Sequence, residues 1–432
     1  MMRDLGCFAT RLLFASFGLV ACAEQEPAVA PLAPPAAAAV PPAPPAPEAK
    51  KEEPKPLPLT AEQKVKAYQE SWAAFNAKDF AKFKGVWAEG ATSETLDMGP
   101  PLVGAAAITE TGAKGFVAGF PDANGEVQLT LVNGNNILGI VLLRGTHDGN
   151  YMTQMGSVPP THKKVGFLAA HRVELNDLGK IVKEVFAYDG ATVAGQLGLA
   201  AVPQPHRKVL EAGWSSEKPV VVASGNELEK ANLLAFGKEA EGFNKHDSAA
   251  ALGAAADDIV FSKLSAPADL MGKKEAQKGM EEMFKAFPDA KSEVKTVWAA
   301  GDYVVSSGTW SGTNTGDMAK LKKTGKAVSL HFIEVDKYVA GKTKNIWLFT
   351  NGAAAAVQLG LMAPLKTAEP KAKDSKPTAG QPPAATTAKP EPAAKPTAAP
   401  APKAEAAAKP APAPATKPAP APATKPAPAP AK

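Results

Sequence analysis

Hydrophobic residues at helical spacing open each of two long stretches of the chain. In the first stretch, Val65, Tyr68, Trp72 and Phe75 recur every three or four residues. This spacing places side chains on one face of an α-helix. The pattern therefore predicts a helix over residues 61–75.

Four segments with strand character follow that helix, at 127–131, 137–144, 165–175 and 181–189. They are rich in β-branched residues and end at Asn-Gly, Asp-Gly or Leu-Gly turns, which is typical of strands joined by short hairpins. Helices followed by a run of hairpin-linked strands predict an α+β domain, with helices on one face of an antiparallel sheet.

The whole pattern occurs twice along the chain. The sequence Phe-Pro-Asp-Ala at 120–123 recurs at 287–290, and Gln-Leu-Gly-Leu at 196–199 recurs at 358–361. Several such anchors keep their order and spacing, which indicates an internal duplication.

We therefore predict two tandem domains, at 59–200 and 226–362. The second one starts with a helix over 232–243. A linker at 201–225 joins the domains, and its Val-Val-Val run at 220–222 is either an added strand or part of the linker.

The start of the chain predicts export. Residues 1–21 combine basic residues with an apolar run that is too short to span a bilayer. The run ends in Leu-Val-Ala-Cys at 19–22, which resembles the lipobox of bacterial lipoproteins. We expect Cys22 to be lipidated, a disordered Ala/Pro-rich tether over 22–58, and a location in the cell envelope, at the outer membrane of a Gram-negative bacterium.

A second low-complexity segment, 363–432, consists mainly of Ala, Pro, Lys and Thr. It has too few large apolar side chains to form a core, so we expect disorder. Its lysines account for much of the net charge of +5. The charge therefore does not indicate nucleic-acid binding; the tail is either a soluble spacer or a contact for anionic envelope polymers.

Short motifs recur in both repeats. In the first repeat they are Gly145-Thr146-His147, Thr161-His162-Lys163-Lys164-Val165, Gly179-Lys180-Ile181, and Asp189 ahead of Gln196. In this order the motifs resemble the SnoaL-like polyketide cyclase family, of the nuclear-transport-factor-2-like superfamily. The resemblance implies two cone-shaped domains, each a curved antiparallel sheet wrapped by helices around one apolar pocket.

Asp189 is the first candidate for chemistry. Period-two alternation puts it on the same strand face as Ile181, Val185 and Ala187, which we interpret as the pocket face. A carboxylate buried there has a raised pKa and suits general base catalysis. The resemblance implies the same role, as the base that takes a proton from a carbon acid. The alternative is a helix cap, because Gly190 follows directly.

His171 shares its strand face with Phe167 and other apolar residues. It is either a catalytic partner that faces Asp189 or a core histidine. His147 is a further catalytic candidate, with a turn position as the alternative. Tyr68 and Trp72 line the pocket mouth or belong to the core.

The second repeat lacks the acid, because Asn351 replaces Asp189. Trp347 and Phe349 share the strand face of Asn351 and predict an apolar, aromatic pocket. No metal-ligand spacing or Gly-rich phosphate loop occurs in the sequence, so we expect neither metal nor cofactor. Three functions stay open: binding of a small apolar molecule, cyclase or isomerase catalysis in the first domain, and a non-catalytic envelope scaffold.

Overall fold

The structure, a computed structural model, describes residues 58–153, 156–199, 206–214, 217–318 and 321–362. The predicted signal peptide (1–21), the predicted lipid acceptor Cys22, the predicted tether up to residue 57 and the tail at 363–432 lie outside these residues. Within the described ranges, no helix has both the length and the hydropathy needed to cross a bilayer.

Domain 1 combines short helices with one large sheet. Its helices are α1 (Ala61–Asn76), α2 (Phe80–Gly85), α3 (Ala105–Ala107), α4 (Lys114–Gly119) and α5 (Gly190–Gln196), with a π-helical turn, Ile108–Ala113, between α3 and α4. Its strands are β1 (Trp87–Thr95), β2 (Leu102–Val103), β3 (Asn124–Asn133), β4 (Asn136–Thr146), β5 (Tyr151–Thr153), β6 (Gly156–Val158), β7 (Lys164–Leu175) and β8 (Ile181–Ala187).

The linker contributes β9 (Val220–Val222), which pairs in parallel with β3 at the edge of the domain 1 sheet. The Val-Val-Val run is therefore an added strand within the linker. The sheet has the order β2-β1-β8-β7-β4-β3-β9, and β5 and β6 form a separate hairpin.

Domain 2 repeats this order. Its helices are α6 (Glu227–Asn244), α7 (Ser248–Ala251), α8 (Lys273–Ala286) and α9 (Gly352–Gln358). Its strands are β10 (Ala255–Lys263), β11 (Leu270–Met271), β12 (Lys291–Ala300), β13 (Tyr303–Thr313), β14 (Ala327–Val339) and β15 (Lys342–Phe349). The sheet order β11-β10-β15-β14-β13-β12 matches that of domain 1 without β9, so the prediction of two tandem α+β domains is confirmed.

Helix α1 begins where the sequence predicts, because Thr60 and Gln63 form a capping box. The side chain of Thr60 accepts from the Gln63 amide, and the Gln63 side chain accepts from the Thr60 amide. Tyr68 and Phe75 are buried on the side that faces the sheet.

Besides the added strand β9, each sheet contains one parallel pairing where the sequence predicts antiparallel neighbours. β1 pairs in parallel with β8, and β10 pairs in parallel with β15, whereas β3, β4, β7 and β8 are antiparallel neighbours. The sequence pattern misses β1 because its residues, Trp-Ala-Glu-Gly-Ala-Thr-Ser-Glu-Thr, are mostly small or polar.

Both faces of each sheet are covered. We call the face under a domain's own helices its inner face, and the opposite one its outer face. The two outer faces pack against each other in one apolar cluster, to which domain 1 contributes Leu131, Ile140 and Val185, and domain 2 Val335 and Phe349. Bulges, such as the one in β3 between Val127 and Leu129, bend the sheets and change which face a residue occupies.

Candidate functional site

His171 is the centre of a hydrogen-bonded network on the inner face of domain 1. Its Nδ1 lies 3.0 Å from Trp72 Nε1 and 3.0 Å from the Tyr68 hydroxyl, and its Nε2 lies 2.7 Å from Glu184 Oε1. An indole N–H can only donate, so Nδ1 is the acceptor. The proton of a neutral His171 is thereby assigned to Nε2, which donates to Glu184.

Glu184 extends the network to β1, because its Oε2 accepts from the hydroxyl of Ser93. The side chain of Glu184 is 14% exposed and that of His171 is 5% exposed. Both ring nitrogens of His171 are occupied within the protein. The carboxylate of Glu184 is therefore the group of this pair that an outside molecule can reach.

The hydroxyl of Tyr68 lies close against the backbone of Gly139 in β4 where it contacts His171. A Cβ atom at Gly139 would lie 2.0 Å from the Tyr68 hydroxyl oxygen, so only glycine leaves room for the phenol. Burial raises the pKa of Tyr68. The residue therefore stays protonated and can donate to His171.

Aromatic side chains fill the inner face around this network. Trp72 packs edge-on to His171 at 5.1 Å between ring centroids, and Phe186 lies 5.7 Å from His171. Phe167, a predicted pocket residue, packs against Tyr188 at 5.1 Å and is 4% exposed. This part of domain 1 is a packed aromatic interior with a polar centre.

Asp189 lies on the outer face and caps helix α5. Its carboxylate accepts from the Thr192 amide at 2.8 Å and the Thr192 hydroxyl at 2.7 Å. It also accepts from the amide of Gly352 in domain 2, at 2.8 Å. Burial raises the pKa of Asp189, and the hydrogen bonds act in the opposite direction.

Asn351 occupies the matching position in domain 2. It caps helix α9 through bonds from the amides of Ala353 and Ala354. Its Nδ2 donates to the carbonyl oxygens of Leu96 and Asp97 in domain 1, each at 3.4 Å. Asp189 and Asn351 therefore cap their own helices and bond across the domain boundary.

His147 belongs to a separate cluster near β5. It is fully buried, its Nδ1 lies 3.0 Å from the Thr161 hydroxyl, and its ring packs against Phe120 and Tyr151. Burial lowers its pKa. The structure does not bring it to His171 or Asp189.

A cleft with a volume of about 410 Å³ opens at the edge of the interdomain contact. Three aromatic side chains line it: Trp214 of the linker, and Tyr303 and Trp347 of domain 2. The rings of Trp214 and Trp347 lie 5.1 Å apart, tilted by 31°. Polar and charged groups at its wall are Glu217, Ser262, Asp269, Lys337 and Asn345.

The sequence model for the SnoaL-like polyketide cyclases matches residues 62–197 and again residues 235–359, together more than half of the chain. The chain belongs to this family. No curated protein matches it.

Solved structures similar to single SnoaL-like domains of this chain include three bacterial proteins. AclR, a putative hydroxylase from Streptomyces galilaeus, is 26% identical, covering 32% of this chain and 85% of its own, with a TM-score of 0.29. A putative SnoaL-like polyketide cyclase from Jannaschia sp. CCS1 is 18% identical, covering 32% and 96%, with a TM-score of 0.29. IdmH, a putative polyketide cyclase from Streptomyces antibioticus, is 23% identical, covering 32% and 99%, with a TM-score of 0.28.

Two placements in this SnoaL-like protein correct the sequence analysis. The prediction that His171 faces Asp189 is wrong, because the residue opposite His171 on β8 is Phe186. Val185 and Phe349, predicted to line pockets, lie in the apolar cluster between the outer faces. Trp347, predicted to line the interior pocket of domain 2, instead packs against that cluster and lines the interdomain cleft.

Glu184, the partner of His171, is not among the residues that the sequence pattern predicts for the site. A signal for it is present in the sequence, because Glu184 and Phe186 alternate along β8 and Tyr188 continues the alternation just after the strand, which groups two aromatic side chains with the carboxylate. The catalytic role of Asp189 stays a prediction. Its hydrogen bonds, which cap α5 and reach Gly352 of domain 2, account for its position without a catalytic role.

Proposed function

We propose that this SnoaL-like protein binds a small, largely aromatic molecule in the interdomain cleft. The observation that carries the proposal is the cleft of about 410 Å³ with three aromatic side chains in its wall. Ligand sites are typically clefts of about 300–1,000 Å³, lined by apolar and aromatic groups with a few polar ones. The family description names polyketide cyclases, and a polyketide-derived ring system has this planar, apolar character.

The position of the cleft suits a binding role. The Trp214 amide donates to Gln128 Oε1 at 3.1 Å, which fixes the linker against domain 1. Lys337 lies 5.7 Å from the centre of the Tyr303 ring and supplies a positive charge beside the aromatic wall. A planar molecule with an acidic or hydroxyl group on one edge fits this combination.

Native mass spectrometry of the protein purified from its own host tests the proposal directly. We expect a retained small molecule that is lost, or weakened at least tenfold in titration, in Trp214→Leu. Trp214 is 43% exposed and belongs to the linker, so this change should leave both domains folded. Trp310→Phe, on the inner face of domain 2, is the matched control and should retain the molecule. Equal retention by both variants would contradict the proposal.

A second candidate function is proton transfer in domain 1, with Glu184 as the base. The partial exposure of Glu184 and its 2.7 Å bond to His171 favour it, as does membership of a cyclase family. In an assay with aromatic polyketide substrates, Glu184→Gln should lower turnover by about 10²–10⁴ and leave the fold intact. Absence of turnover by the parent protein would remove this candidate.

We also propose that the chain is anchored in the cell envelope through lipid on Cys22. The support is the lipobox-like sequence at 19–22. Expression in a bacterium fed labelled palmitate should label the parent protein in the membrane fraction. Cys22→Ala should be unlabelled and should leave that fraction, whereas a labelled Cys22→Ala would refute the assignment.

A further inference from the structure

Three acidic side chains meet on the inner face of domain 2, and we call them the acidic cluster: Glu239, Glu334 and Asp336. Glu334 and Asp336 are two residues apart on β14 and share a face, and Glu239 comes from α6. Glu334 occupies the place that His171 has in domain 1, because Ser306 pairs with Glu334 as Gly139 pairs with His171.

The negative charge of this cluster has little compensation. No lysine or arginine of the described residues forms an ion pair with Glu334 or Asp336 or lowers their pKa values. Within the cluster, the positive charge of Lys273 lowers the pKa of Glu239 alone. Glu239 also accepts weak bonds from the Ala254 amide and the Tyr338 and Thr343 hydroxyls, at 3.3–3.4 Å.

Two buried polar atoms beside the cluster have no partner in the described part of the chain. They are Asp336 Oδ1 and Ser306 Oγ. Asp336 is 2% exposed and Ser306 is 1% exposed. Since Ser306 pairs with Glu334 across the sheet, its hydroxyl lies on the same face as the cluster. Buried groups of this kind are normally hydrogen-bonded, and each unpaired one needs an explanation.

In domain 2 a small residue stands on the helix above the cluster, where domain 1 has Trp72. The matching position on α6 is Ala240, and it is partly exposed although it faces the sheet. Glu334 is also partly exposed, so solvent reaches it. The apolar surroundings are Trp310, Ile346 and Leu348, none of them fully buried.

An organic cation suits this site better than a metal ion. The described residues contain no group of three or more His, Cys, Asp or Glu side chains placed to hold one metal. An ammonium group, in contrast, has three donors that can bond to separate acceptors, here two carboxylates and the Ser306 hydroxyl. An apolar body on the same molecule would occupy the space that Trp72 fills in domain 1.

We propose that the inner face of domain 2 binds an amphipathic amine, with its ammonium on Glu334, Asp336 and Ser306 and its apolar body against Trp310 and Leu348. Without a ligand, burial raises the pKa of Glu239 to about 7. Burial and the nearby acidic groups raise the pKa of Glu334 to about 7 and also raise that of Asp336. A bound cation favours the ionised carboxylates and so lowers these pKa values. Binding should therefore release protons.

Isothermal titration of the full chain with 2-phenylethylamine tests this site, with 2-phenylethanol as the neutral probe of similar shape. At pH 7 we expect the amine to bind at least tenfold more tightly than the alcohol. The heat should depend on the ionisation enthalpy of the buffer, because protons are released. Equal affinity for the two probes, or no binding of the amine, overturns the proposal.

The variants Glu334→Gln and Asp336→Asn should each weaken the amine at least tenfold and leave the alcohol unaffected. Both amides relieve repulsion, so we expect folded protein, checked by circular dichroism. Asp302→Asn, an exposed position in the β12–β13 turn, is the matched control and should bind the amine normally. Unchanged amine binding in both cluster variants refutes the site. Trp214→Leu, which alters the interdomain cleft, should leave the amine titration unchanged, so the two proposals fail separately.

Discussion

Replacing Asp189 with alanine removes a helix cap and a bond between domains in one step. Loss of an N-cap side chain costs about 1 kcal/mol, within a range of about 0.5–2. Loss of a hydrogen bond to a charged group, here from the Gly352 amide at 2.8 Å, costs about 1.5–3 kcal/mol. We therefore expect Asp189→Ala to lower the free energy of unfolding by about 2–4 kcal/mol.

Urea denaturation followed by tryptophan fluorescence and far-ultraviolet circular dichroism measures this loss. The matched control is Asp79→Ala. Asp79 caps α2 through the Lys82 amide at 2.9 Å, and its bonds stay within domain 1. The control should cost about 1 kcal/mol, and the difference between the variants reports the bonds that Asp189 makes beyond its backbone cap, from the Gly352 amide and the Thr192 hydroxyl.

Equal destabilisation by the two variants would refute the reasoning, because the bond to Gly352 would then contribute nothing. A second outcome bears on catalysis. If Asp189→Ala were as stable as the parent and yet abolished turnover of a substrate, the prediction of Asp189 as a base would be supported over the cap.

Three further predictions concern other buried groups, all measurable by urea denaturation. Gly139→Ala should lower the free energy of unfolding by about 1–3 kcal/mol through overpacking, and Tyr68→Phe should recover part of that loss in the double variant because it removes the clashing oxygen. Folding raises the pKa values of the acidic cluster, so the stability that the cluster contributes is present below about pH 4.5 and is lost as the pH rises to about 7. Glu334→Gln should flatten the dependence of the free energy of unfolding on pH, and an unchanged slope would contradict this prediction. Asn351→Asp should destabilise the protein more at pH 8 than at pH 5, because it places a second carboxylate near Asp189 and removes the donor to domain 1. Equal destabilisation at the two pH values would argue against repulsion between the two carboxylates.

The duplication, the hairpin-linked strands β3, β4, β7 and β8, and helix α1 could be predicted from the sequence because each rests on local patterns. The spacing of Tyr68 and its neighbours, together with a capping residue at Thr60, fixes the helix without reference to the rest of the fold. The same holds for His171, whose alternation with the apolar residues of β7 correctly placed it on the inner face.

The strand β8 shows where such patterns stop being informative. Alternation tells which residues share a face, but both faces of this sheet are buried, one by helices and one by the other domain. Val185 and Ala187 are apolar because they pack in the cluster between the domains, and the same apolar character would be expected of residues that line a pocket. Glu184 was overlooked for the same reason. The face that binds a partner domain cannot be distinguished from the face that lines an interior by hydrophobicity alone.

The contact between the two outer faces has a consequence for how the protein behaves on dilution. Two identical subunits joined through such a surface would separate at low concentration and would have to keep one sequence for both partners. Here the partners are covalently joined, so the association is intramolecular and independent of protein concentration. Each copy is also free to change alone, and one interior now holds an imidazole where the other holds a carboxylate.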